Sequence, residues 1–142
     1  MHGNPYIMIS GMLNNVTFLR RMDGSVVFAR GWADYKAGFG NTDGEMWLGL
    51  EEIHQLSTTY TVGLRVEMSD FDDVKYWTEY SRFTVGPESD CYRVDIRGYD
   101  VTSTAGDGTA YGAGTRHTGE CFTTIDQDND SNQNGKLLLV LA

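Results

Sequence analysis

Proline and cysteine each occur only twice in the 142 residues, and histidine three times. So little proline excludes a Pro-rich disordered tract. Two cysteines cannot form the framework of a disulfide-rich miniprotein. Neither a Cys-x-x-Cys pair nor a Cys/His zinc spacing is present, which argues against a zinc site. Long apolar runs are missing as well. The longest, Leu137 to Ala142, has six residues, far short of the ~18 that a membrane span needs. Basic residues are scarce, 11 Lys and Arg against 20 Asp and Glu, for a net charge of −9 and a pI near 4.6. Nucleic acid is therefore excluded as a partner, because neutralising phosphates takes a basic face. Anionic membrane surfaces are poor partners for the same reason. A divalent cation is the partner such a charge accepts most easily.

Catalytic motifs are also lacking. There is no Gly-x-Ser-x-Gly, no His-Glu-x-x-His and no phosphate-binding glycine motif. His54 falls on a predicted helix and is read as a packing or surface residue. His117 lies in a glycine-rich stretch with no nucleophile near it in sequence. Asp72-Asp73 offers half of a carboxylate pair, a remote hydrolase option, but adjacent acids in a turn are normally solvated. The expectation is a protein that is not an enzyme. The apolar patch Tyr6 to Ile9 has no Lys or Arg ahead of it, so the charged start of a secretory signal is not visible.

The length fits one domain with a substantial core. Glycine is abundant at 17 residues, about 12% against the usual ~7%. Val16 to Met22 alternates as a strand and ends at the turn Asp23-Gly24. Ser25 to Phe28 is a short β-prone continuation. Trp32, Tyr35 and Phe39 share one face of a short helix that Gly38 and Gly40 would stop. Glu51 to Leu56 is a second short helix, with two acids at the end where the dipole favours them. Tyr60 to Met68, Val74 to Val85 and Tyr92 to Arg97 are strands joined by short turns, an antiparallel meander. Tyr76, Thr78, Tyr80, Arg82 and Thr84 are assigned to one face of the second of these, and Phe83 to the other. Gly98 to Gly119 reads as loop, Cys121 to Ile125 as a short strand, and Asp126 to Gly135 is polar throughout.

Cys91 and Cys121 would close a loop worth roughly 3–4 kcal/mol if oxidised. Taken alone, they fit a disulfide and a pair of small buried thiols equally well. The most chemical stretch begins with Asp126, Asp128 and Asp130, three carboxylates two residues apart. They repel one another unless something offsets the charge. Calcium takes six to eight oxygens, and this loop offers carboxylates, amides and carbonyls. A solvated acidic turn is the alternative. It is not an EF-hand: counted from Asp126 or Asp128, positions six and twelve are Ser131 and Leu137, or Gln133 and Leu139, not Gly and Glu. Asn15-Val16-Thr17 and Asn129-Asp130-Ser131 match the glycosylation sequon, and chance explains both.

Several stretches are similar to one known family. Phe18-Leu19-Arg20-Arg21-Met22-Asp23-Gly24-Ser25-Val26 resembles the F-x-R-R-x-D-G-S-V run of the fibrinogen C-terminal (fibrinogen-related) domain. Trp32 to Gly40 resembles its W-x-x-Y-K-x-G-F-G. Glu45 to Leu56 resembles its E-x-W-L-G-N-x-x-I-H-x-L, with Leu50 where the family usually has Asn. Thr104 to Asp107 resembles T-A-G-D, and Phe122 to Asp130 resembles F-S/T-T-x-D-x-D-N-D. The likenesses are collinear from Val16 to Asn134.

The resemblance implies an α+β fold: a twisted antiparallel sheet with short helices, followed by a loop-rich calcium subdomain. It implies an extracellular recognition module, calcium-binding and lectin-like, with a carbohydrate or other acetylated ligand in the full family domain and protein partners besides. The metal ligands it implies are the side chains of Asp128 and Asp130 and the main-chain oxygens of Asn132 and Asn134. Asp126 would then shape the loop. Residues 1–15 and the apolar tail 135–142 do not match the family pattern, and Gly135 stands where the family has Cys. The expectation is thus a partial domain over residues 16–134, truncated at both ends and lacking the acetyl-ligand pocket. A structural or protein-interaction fragment without a ligand of its own is the alternative. Cys91 and Cys121 are not the family's disulfide cysteines.

Overall fold

The computed structural model of the chain describes residues 5–12, 15–107, 110–111, 115–116 and 119–129. The strands in chain order are β1 (Tyr6–Gly11), β2 (Thr17–Arg21), β3 (Phe39–Gly40), β4 (Met46–Trp47), β5 (Val62–Ser69), β6 (Lys75–Val85), β7 (Val94–Tyr99), β8 (Ala110–Tyr111) and β9 (Thr115–Arg116). Two helices, α1 (Trp32–Ala37) and α2 (Leu50–Thr59), and a 3-10 turn at Glu88–Asp90 interrupt them. The first seven strands form one sheet in the order β3-β4-β2-β1-β5-β6-β7, and β8 pairs with β9. Every pairing is antiparallel. The expected meander is the run β5-β6-β7.

β1 is the first departure from expectation. It precedes the stretch that carries the family motifs, yet it lies between β2 and β5 and pairs along its length with both. The apolar Tyr6 to Ile9 patch is a strand in the middle of the sheet. A second departure is the register of β6. Val62 pairs with Phe83 but Leu64 with Tyr80, so β6 carries one extra residue there, a bulge. The bulge turns both Tyr80 and Phe83 into the core, where strict alternation puts them on opposite faces. Ser25 to Phe28 and Cys121 to Ile125 are not strands. In place of a ladder, Val26 N–H donates to the Glu45 side chain and Phe122 N–H to the Cys91 carbonyl. Phe39 belongs to β3, not to α1. Of the stretch Gly98 to Gly119 read as loop, Gly98 and Tyr99 end β7, and four residues pair in the small second sheet, Ala110 with Arg116 and Tyr111 with Thr115.

The core forms where α2 covers the sheet. Leu50 and Ile53 of α2 are buried with Val62, Leu64, Phe83 and Val85. β2 is buried on both sides: Phe18 packs on Phe83 with ring centroids 5.7 Å apart, and Leu19 sits opposite Ile9 and Trp47. His54 and Ser57 of α2 hold the end of β6. The His54 Nδ1 lies 2.7 Å from the Val85 carbonyl, which can only accept, and the Val85 N–H donates to Ser57 Oγ. His54 is thus a structural residue of the helix–sheet contact.

Gly38 ends α1 at φ +92° and ψ 157°, a region that is essentially glycine's alone. A Cβ there would also collide with the Leu48 carbonyl. Gly38→Ala is expected to lower stability by about 2 kcal/mol, read as a shifted urea midpoint at unchanged slope.

Candidate functional site: the 119–129 segment

A segment from Gly119 to Asn129 runs from the start of β7 to the N-terminal end of α1. Its entry is fastened to β7 and the turn before it. Gly119 N–H donates to the Val94 carbonyl (2.6 Å), Val94 N–H to the Glu120 carbonyl (3.1 Å), and Phe122 N–H to the Cys91 carbonyl (3.0 Å). The Arg93 guanidinium donates to the Gly119 carbonyl. Cys91 and Cys121 form a disulfide, with Cα atoms 5.2 Å apart. Cys91 and Tyr92 both adopt the left-handed region, φ +50° and +47°, which few non-glycine residues do. That geometry turns Tyr92 inward, where it is completely buried. Its ring lies 5.6 Å from Trp32 and its hydroxyl donates to Glu51 (2.7 Å). Burial, then the Glu51 carboxylate, push the phenol far above its usual range.

The middle of the segment rests on aromatic rings. Phe122 lies 5.4 Å from Tyr35 and 6.0 Å from Trp47. Thr123 and Thr124 are buried behind it. Thr124 and Gln127 bond to each other's backbone and close a tight turn. Trp32 donates its indole N–H to Glu88 (3.0 Å), and Lys36 donates to the same carboxylate (2.5 Å). The Lys36 and Trp32 bonds hold the Glu88 carboxyl below its usual range.

Asp126 stands at the tip of the turn. Its Oδ1 accepts from the Trp32 N–H (2.8 Å) and from Thr124 Oγ1 (2.7 Å). Those two bonds, Thr124 first, keep the carboxyl below the ordinary aspartate range. Gly31 makes room for it: a Cβ there would run into the Asp126 carboxylate. Asp126 therefore shapes the loop, and its carboxylate is committed within the protein. Asp128 follows at an exposed position. The Asn129 side-chain amide donates to the Phe122 carbonyl (2.9 Å), and its N–H donates to Thr123 Oγ1 (3.2 Å). The second sequon's asparagine thus serves the loop's own structure.

Asp130, Asn132 and Asn134 lie outside the described residues, as does His117. Among the described residues, no three His, Cys, Asp or Glu side chains converge as metal ligands. Asp128 is the only proposed ligand whose place is known. The donor set it belongs to is all oxygen, the chemistry that calcium takes. Asp126 is bonded to the start of α1, and Asp128 two residues on is exposed.

Two groups escaped the sequence reading. Glu45 is 1% exposed and holds the turn after β2. Its Oε1 accepts from the N–H groups of Met22, Asp23 and Gly24, its Oε2 from that of Val26. Glu88 joins α1 to the 3-10 turn. Glu45 had a sequence signal, its place at the head of the E-x-W-L-G stretch; Glu88 had none. A groove of about 460 Å³ opens beside Glu45, with Tyr6, Met68 and Tyr76 among its walls. Its acids serve the fold: Asp70 accepts from the N–H groups of Asp72 and Val74 and from Tyr76 Oη. Asp72 and Asp73 are thus part of an organised hairpin turn.

Sheet, helices and fastened loop together define a fibrinogen-like globe fold. The family model for the fibrinogen beta and gamma chains, C-terminal globular domain, matches residues 7–137, which takes in β1. Angiopoietin-related protein 1 of Mus musculus is 45% identical over 112 residues, covering 79% of this chain and 21% of its own length. Microfibril-associated glycoprotein 4 of Mus musculus is 40% identical over 118 residues, covering 80% of this chain and 44% of its own. The fibrinogen-like globe domain of human ANGPTL6 superposes with a TM-score of 0.76 at 38% identity, over 86% of this chain and 53% of that one. A lamprey fibrin D-dimer, solved with the peptide Gly-His-Arg-Pro-amide, gives 0.75 at 32% identity, over 86% of this chain and 42% of that one. The chain belongs to the fibrinogen C-terminal domain family. It spans about a fifth of the first angiopoietin-related relatives and about half of the ANGPTL6 globe domain. Domains of this family are recognition modules, not enzymes.

Proposed function

We propose that this chain serves as a calcium-binding recognition module of an extracellular protein. The observation that carries the reading is the 119–129 segment: Asp126 bonds the loop to α1, and Asp128 follows at an exposed position. Calcium at Asp128, Asp130 and the carbonyls of Asn132 and Asn134 would neutralise this acidic run and stiffen the surface beside it. An extracellular setting agrees with the Cys91–Cys121 disulfide, since such bonds persist in oxidising compartments. No helix among the described residues is long and apolar enough to cross a membrane.

With two carboxylates as direct ligands, calcium should bind with Kd of ~10⁻⁴–10⁻³ M, the weak range of extracellular modules. Titration calorimetry on the wild-type chain and on an Asp128→Ala, Asp130→Ala variant tests this; no calcium heat, or equal heat from both, overturns it. The recognised ligand is proposed to be a protein or peptide, not the acetylated ligand of the full family domain. Retention on an immobilised Gly-His-Arg-Pro-amide peptide supports this; retention on an N-acetylglucosamine resin, with elution by free acetate, overturns it. Retention on neither leaves a protein-interaction module without a small ligand.

A further inference from the structure

The Cys91–Cys121 bond and the Asp126 carboxylate grip the same short segment from opposite ends, five residues apart in sequence. At one end Cys121 is covalently tied to the turn before β7, and Phe122 N–H is bonded to the Cys91 carbonyl. At the other, Asp126 accepts from the first N–H of α1, in a space that only the absence of a side chain at Gly31 leaves open. Between the grips, Phe122 rests on Tyr35 and Trp47, and Thr124 and Gln127 close the turn. The segment lends no strand to the seven-stranded sheet. Its geometry is therefore set by its attachments, and the sheet does not need it for its own pairing.

We propose that the disulfide and Asp126 form a two-point joint that presets the conformation of residues 121–129, making Cys91, Cys121 and Asp126 positioning residues for the cation loop. The effect on calcium rests on the function proposed above; the effect on the segment's order does not. With one grip removed, the turn samples other conformations. Calcium must then bear the cost of ordering it, so affinity falls.

The test compares the wild-type chain with a Cys91→Ser, Cys121→Ser variant, with Asp126→Ala, and with Leu64→Ala, which weakens the sheet core away from the segment. Amide hydrogen exchange without calcium is the first readout. In the first two variants the Phe122, Thr124, Gln127 and Asn129 amides should approach unprotected rates, while β5 and β6 amides stay protected at least a hundredfold. In Leu64→Ala the segment should keep its protection relative to the sheet. Calcium titration is the second readout, with affinity expected to fall about tenfold in the joint variants and to hold in Leu64→Ala. The proposal is overturned if the segment stays protected without the disulfide, or if Leu64→Ala lowers calcium affinity as much as the joint variants do. Loosened exchange together with no calcium binding by the wild-type chain supports the joint and overturns the calcium reading.

Discussion

Replacing Glu45 by alanine is expected to cost roughly 3 kcal/mol, a drop of about 10 °C in Tm for a domain of this size. The carboxylate is almost wholly buried and gathers four backbone N–H groups from the turn at residues 22–26. Arg21 lies 3.6 Å from its Oε2. Burial alone would push this carboxyl up, but the four N–H donors outweigh it and bring the pKa from 4.5 to about 2. That difference favours the ionised form by roughly 3 kcal/mol. A carboxyl held low in the folded state contributes its stability above the unfolded pKa and loses it as pH falls through the folded one. This contribution is therefore complete above pH ~5 and declines toward pH 2. Glu45→Gln keeps Oε1 for three donors but turns an NH2 toward the Val26 N–H, so it should lie between wild type and alanine. The check is urea unfolding from pH 7 to pH 2. The stability gap between wild type and Glu45→Gln should narrow across the acid limb; a gap that stays constant would show that the carboxylate charge is not what holds the turn.

Removing the disulfide is the second large effect. Cys91 and Cys121 are 30 residues apart, and opening a loop of that size releases unfolded-chain entropy worth about 3–4 kcal/mol. Whole domains have a net stability of only ~5–15 kcal/mol, so the Cys91→Ser, Cys121→Ser chain should remain folded at 25 °C but melt well below wild type. Scanning calorimetry of both chains decides it. A Tm within 2 °C of wild type would mean that the hydrogen bonds of residues 119–122 to the turn and β7 already close this loop without the bond.

Much of this protein is legible in its amino-acid order. Alternation marked β2, β5, β6 and β7, and the spacing of Trp32 and Tyr35 marked α1. The glycine at 38 ended that helix, because few other residues take its backbone angles, and left Phe39, read as helical, to β3. The family motifs identified the domain and marked Asp126 as the acid that shapes the loop, since each motif keeps several chemically distinctive residues at fixed spacing. β1 was less legible. Its four apolar residues carry no motif, and only the neighbours on both sides show it to be a central strand.

Tertiary structure decided the rest, and in each case the reason is a partner remote in sequence. The bulge in β6 arises from how Val62 and Leu64 seat against Phe83 and Tyr80, which one strand's alternation cannot register. Glu45 is a surface-like acid until the 22–26 turn closes over it. The two cysteines read equally well as thiols or as a bond, until the turn before β7 brings their Cα atoms within 5.2 Å. Asp126 is one of three acids in a row until α1 presents the N–H of Trp32, 94 residues away. Local sequence determined the strands, helices and turns through periodicity and backbone preference. That Asp126 serves the fold was settled only by what the folded chain places beside it.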